Sequence, residues 1–207
     1  MHEAGGPLRG PQLMPTLEYT ESDGEMPPKY VHTIREEIFY EYAKLISRAA
    51  FKGELERAFI TDRFKELRDG HITMSGTNRE WQREQELPKL CVFCSSESNL
   101  QTDHLIPRSR GGRDESDNMV LACPTCNTSR GDKGIFEWLG LKEKDHLHRL
   151  VAGKYLKQLY DLHEVADTLS VDRVTLVRLC PSCRNKHTCV DWDKVEELTC
   201  FCLESVF

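Results

Sequence analysis

The chain has 207 residues, 30% of them charged and 39% hydrophobic, enough for one sizeable domain with appendages or two small ones. No apolar run approaches the ~18 residues that span a bilayer, and no signal-peptide pattern opens the chain, so a membrane protein is excluded and a cytoplasmic location is expected. The net charge of -6 argues against a surface coated with basic residues and leaves only a local basic groove for any nucleic acid.

Residues 1–28 are rich in Pro and Gly and lack apolar periodicity, which predicts a disordered tail. Val31, Ile34, Ile38, Tyr42, Leu45 and Ala49 step by three or four and predict an amphipathic helix. After Gly53, the residues Leu55, Phe59, Ile60, Phe64 and Leu67 predict a second, ending near Asp69-Gly70. Thr77-Asn-Arg-Glu80 reads as a capping box opening a short third helix from Trp81 to Leu87, stopped by Pro88. These helices read as scaffold; Arg79 and Arg83 would matter only if the helices offered a DNA-backbone surface.

A strand is expected over 99–104, a Gly- and charge-rich loop over 107–117, a returning strand over 119–122 and a helix opened by Cys123-Pro124. Ile135, Phe136, Trp138, Leu139 and Leu141 form an apolar cluster to cover this unit. Leu147, Val151, Tyr155, Leu159 and Leu162 then mark another helix, beside which His146, His148 and His163 read as surface or packing residues. From Val171 a β-branched stretch leads into Cys180-Pro-Ser-Cys183, followed by His187, Cys189, Cys200 and Cys202.

The nine cysteines fall largely into C-x-x-C pairs, and an odd count would strand one thiol in an all-disulfide scheme. Cys91, Cys94, Cys123 and Cys126 match the tetrahedral thiolate set that zinc favours, with a hairpin looped out between the pairs. Four thiolates leave no open position for water, so this zinc reads as structural. Cys180, Cys183, Cys200 and Cys202 are candidates for a second zinc, with His187 and Cys189 as spare ligands that the spacing does not rank.

Zinc does not account for Asp103-His104, Pro107-x-Ser109-x-Gly111-Gly112, Asn118 before an apolar strand, or Asn127 after the second knuckle, followed by Arg130-Gly131-Asp132. This stretch resembles the HNH nucleases, with their ββα-metal core, over roughly residues 91–140. The family's usual Lys-Gly is Arg130-Gly131 here, which keeps the charge, and its third motif position is Asn127 rather than His. The resemblance implies His104 as general base, a role suited to an imidazole that is partly neutral near pH 7. It implies Asp103 and Asn127 as oxygen ligands of one catalytic Mg2+ or Mn2+. It makes Asn118 the residue that braces the loop and orients His104. Arg108, Arg110, Arg113, Arg130 and Lys133 are then the candidate phosphate contacts. Neighbours on a regular strand face opposite ways, so the strand must end or twist at Asp103-His104 for both to serve one site.

The expected fold class is α+β, a zinc-pinned ββα-metal (HNH) core surrounded by helices. Its divisions are a disordered tail at 1–28, a helical region at 29–88, the nuclease core at 89–142, a helical segment at 143–170 and a Cys-rich subdomain at 171–207. The expected activity is metal-dependent hydrolysis of DNA phosphodiester bonds. The alternative is a zinc-dependent module that binds nucleic acid or a partner without catalysis. DNA is the expected partner and a membrane is not; the acidic charge favours a second copy or another protein that adds DNA affinity.

Overall fold

A computed structural model describes residues 28–74, 88–172, 175 and 198–206. The tail up to residue 27, the third helix over 81–87, and Cys180, Cys183, His187 and Cys189 lie outside the described residues. The architecture is α+β: a two-stranded sheet and one short helix, embedded among longer helices. None of the described helices is long and apolar enough to cross a membrane.

Helix α1 (Ile34–Ala50) starts at a reciprocal cap. Thr33 Oγ1 accepts from Glu36 N at 3.2 Å while Glu36 Oε2 accepts from Thr33 N at 3.2 Å, which satisfies donors a helix start leaves open. Its inner face is Ile34, Ile38, Tyr42, Ala43 and Ser47; Ala49, expected inside, is exposed. Ser47 turns inward because its hydroxyl ties down the following turn, accepting from Glu56 N at 2.9 Å. Helix α2 (Arg57–Arg68) folds back and buries Ile60, Phe64 and Leu67 against α1.

Strands β1 (Gln101–His104) and β2 (Met119–Ala122) pair antiparallel, with Asp103 opposite Val120 and His104 opposite Met119. β1 begins two residues later than expected, after Asn99 takes a left-handed φ of 53°. Helix α3 (Pro124–Arg130) follows β2 directly, with Pro124 at a first-turn position where its missing N–H costs nothing. Helix α4 (Ile135–Glu143) bends at Gly140, whose φ of 77° breaks the helical path.

Helix α5 (Arg149–Val165) is the central strut, buried from Leu150 to Leu159. Lys154 and Gln158 are buried there because their side chains meet backbone carbonyls of the hairpin turn. Lys154 Nζ donates to Met119 O at 2.9 Å and Gln158 Nε2 to Asp117 O at 2.6 Å. Residues 198–206 pack into the same core through Leu198, Cys200, Phe201 and Leu203, with a short 3-10 helix at Cys200–Glu204.

Candidate active site

The four cysteines Cys91, Cys94, Cys123 and Cys126 come together with their sulfurs all within 4.8 Å of one another. Tetrahedral zinc thiolates require sulfurs about 3.8 Å apart, given Zn–S bonds of about 2.3 Å. The donor set and spacing therefore suit zinc. Backbone geometry supports the site: Cys126 N donates to Cys123 Sγ at 3.5 Å, and the first knuckle closes through Ser95 N to Cys91 O at 2.8 Å. Val92 N bonds Leu121 O at 2.9 Å, so the knuckle extends the hairpin. Burial raises the Cys123 thiol, but bonds from Cys126 N–H and the neighbouring thiols outweigh it and bring it down to about 7, which favours a thiolate. Phe93 and Trp138 meet edge to face at 5.0 Å and shield this cluster. Cys200 and Cys202 are both buried, and Cys202 Sγ accepts from Thr199 N at 3.4 Å; neither joins a metal-ligand group among the described residues.

The hairpin loop between the strands is held from inside by Asn118, which is 1% exposed. Its Oδ1 accepts from Ile106 N at 2.8 Å, and its Nδ2 donates to Ile106 O at 3.0 Å and to Arg113 O at 2.8 Å. The Gly-Gly pair has two separate causes. Gly111 takes a left-handed φ of 87°. Gly112 lies so close to the Ile106 carbonyl that a Cβ would sit 1.8 Å from its oxygen. The side-chain bonds of Asn118 thus go to the loop backbone and not to the His104 ring.

β1 ends at His104, and the two neighbours alternate as strand residues do, each making its own side-chain bond. Asp103 turns inward towards α3, where its Oδ1 accepts from Arg130 Nη2 at 2.9 Å and from His104 N at 2.8 Å. Its Oδ2 is buried and has no hydrogen-bond partner among the described residues. His104 runs along the loop instead, with Nε2 2.8 Å from Asp114 Oδ1. That bond, with the nearby Arg108 charge, holds Asp114 below the ordinary carboxylate range. Asn127 is half-buried on α3, one turn before Arg130, so the helix that carries it rests against β1.

Two of the candidate phosphate contacts lie inside the fold and not on its surface. Arg130 is 1% exposed and serves as an internal clasp: besides Asp103 it donates to Leu105 O at 2.9 Å and to His104 O. Arg110 has a largely buried side chain paired with Glu137 Oε2 at 2.9 Å. Both cations are spent inside the fold. Arg108, Arg113 and Lys133 are exposed. Asp114 escaped the sequence reading because a single acid in a charged loop carries no spacing signal.

Residues 91–133 match the family model described as HNH endonuclease, about a fifth of the chain, and the match encloses both knuckles, the hairpin and α3. This unit is thus similar to the HNH endonuclease family and carries a four-cysteine cluster. No curated protein and no solved structure matches the chain.

Proposed function

We propose that the protein is a metal-dependent endonuclease that hydrolyses DNA phosphodiester bonds. The observation that carries this reading is the second oxygen of Asp103, buried and unpartnered among the described residues, on the residue next to His104 in a matched HNH hairpin. A buried carboxylate oxygen left without a donor is costly unless something else meets it. A hard divalent cation such as Mg2+ or Mn2+ suits it, and Asp103 and Asn127 would hold it through oxygen. When bound, such an ion neutralises charge on the scissile phosphate and on the leaving oxygen.

His104 then acts as general base. Its free ring nitrogen takes a proton from water, the water oxygen bonds to phosphorus, and the P–O3′ bond breaks. The electron pair leaves on the 3′ oxygen, which collects a proton from solvent; the products are a 5′-phosphate and a 3′-hydroxyl. Asn118 and Arg130 hold the loop and the strand end so that base and carboxylate stay fixed. Arg108, Arg113 and Lys133 contact backbone phosphates.

One observation favours the non-catalytic alternative. Asp103 already spends Oδ1 on the Arg130 guanidinium, and a second cation beside it is repelled. Plasmid cleavage separates the two readings. Wild type with Mg2+ or Mn2+ is expected to nick or linearise the plasmid, and EDTA or His104→Ala to stop it. Well-folded wild type that cuts with neither ion would leave the binding module standing.

A further inference from the structure

An imidazole can act as a base at one nitrogen only if the proton of its neutral form sits on the other. In this protein the choice is made by a residue outside the motif. His104 Nε2 lies 2.8 Å from Asp114 Oδ1, and an ionised carboxylate can only accept. Nε2 therefore carries the hydrogen, and the lone pair is at Nδ1. We propose that Asp114 is the positioning residue for His104, fixing the tautomer and ring orientation that present Nδ1 to the attacking water; this rests on the nuclease reading above.

An exposed ion pair by itself contributes little, and the Asp114 side chain is 64% exposed. What distinguishes this one is how its backbone is held. Gly112 N donates to Pro107 O at 3.0 Å, and its missing side chain lets the loop close onto Ile106. On the next residue, Arg113 O accepts from Asn118 Nδ2 at 2.8 Å. Asp114 thus leaves a point pinned by a fully buried amide. Asn118 reaches the base indirectly, through the Arg113 carbonyl and then the Asp114 carboxylate. After proton transfer both ring nitrogens of His104 are N–H donors, and the same carboxylate faces the new positive charge.

The test compares wild type with Asp114→Ala and Asp114→Glu in plasmid cleavage, together with 15N NMR of the His104 ring near pH 8, assigned with His104→Ala. Asp114 is on the surface, so neither variant should affect folding. Asp114→Ala is expected to lower kcat roughly 10- to 100-fold, taking as a guide the range for losing the partner that orients a metal-bound imidazole. KM should hold or fall, because removing an acid near bound DNA only favours binding. Asp114→Glu should recover part of kcat. The wild-type ring should show the Nε2–H tautomer, and Asp114→Ala a mixture. Unchanged kcat in Asp114→Ala, or an Nδ1–H ring in wild type, overturns the proposal. If wild type cuts nothing the nuclease reading fails, and the NMR still decides: Nε2–H lost on Asp114→Ala upholds the positioning, and no change refutes it.

Discussion

Asn118 shows how much of the hairpin rests on one amide. Both donor and acceptor ends are used, and it bridges the two ends of a loop whose regular structure is limited to two short 3-10 turns, Arg108–Arg110 and Ser116–Asn118. Asn118→Asp keeps shape and volume but removes both donors and sets a charge against two carbonyls. Each buried polar group stranded this way costs about 1–3 kcal/mol. The variant should lose about 2–4 kcal/mol of stability by denaturant titration. Cleavage should fall further than stability alone requires, because Asp114 is released with the loop. Gly112→Ala should behave alike for a different reason: its Cβ meets backbone, which cannot rotate away as a side chain could. Equal stability and cleavage in Asn118→Asp would show that the loop is held by other bonds. The motif spelled out Asn118 and the Gly pair, but not which bonds they make.

Where the C-terminal piece meets α4, the polar part of the joint among the described residues is a buried acid. Glu204 lies across the start of the helix, accepting from Phe136 N at 2.6 Å and Glu137 N at 2.8 Å, and Tyr155 donates its hydroxyl to the same carboxylate at 2.5 Å. Gly134 makes this approach possible, since a Cβ there would fall 2.3 Å from the carboxyl carbon. Burial dominates, pushing Glu204 up to about 7 against its donors. A carboxyl whose pKa is raised on folding binds its proton better in the folded chain. Its contribution is complete below the unfolded value near 4.5 and is lost as pH rises through about 7. That gap corresponds to roughly 3 kcal/mol at most. Thermal melts of wild type and Glu204→Gln from pH 5 to 8 should show the wild-type advantage shrinking as pH rises. A constant difference would mean Glu204 keeps one charge state throughout. Neither this joint nor the burial of Lys154 and Gln158 could be read from the chain. Periodicity finds the apolar face of a helix, as it did for Val151, Tyr155 and Leu159, but it does not show which carbonyl a polar residue will meet. The hairpin and α3 were legible because metal ligands and tight turns demand specific residue types at fixed offsets.

Across the whole molecule, charge is the feature that fits a nuclease least. With a net charge of -6, long-range attraction to DNA is weak, so affinity must come from a few local cations. The fold reduces their number: Arg110 is paired with Glu137 and Arg130 is enclosed, leaving Arg108, Arg113 and Lys133 exposed on the hairpin and the turn after α3. Even Arg113 has acids nearby, at 3.7 Å from Glu115 and 3.9 Å from Asp161. Neutralising Z phosphates on duplex DNA makes log K fall with log salt at a slope of about -0.9Z. Three contacts predict a slope of about -3, and Lys133→Ala should make it shallower by about 1. Fluorescence anisotropy with a labelled duplex, using His104→Ala protein or wild type in EDTA to suppress any cleavage, measures both. A wild-type slope near -6 or steeper would assign much of the binding to cations outside the hairpin, on other parts of the chain or on a second copy. A slope near zero would remove DNA as the ligand of this surface, however well the cysteine cluster and the His104–Asp114 pair are built.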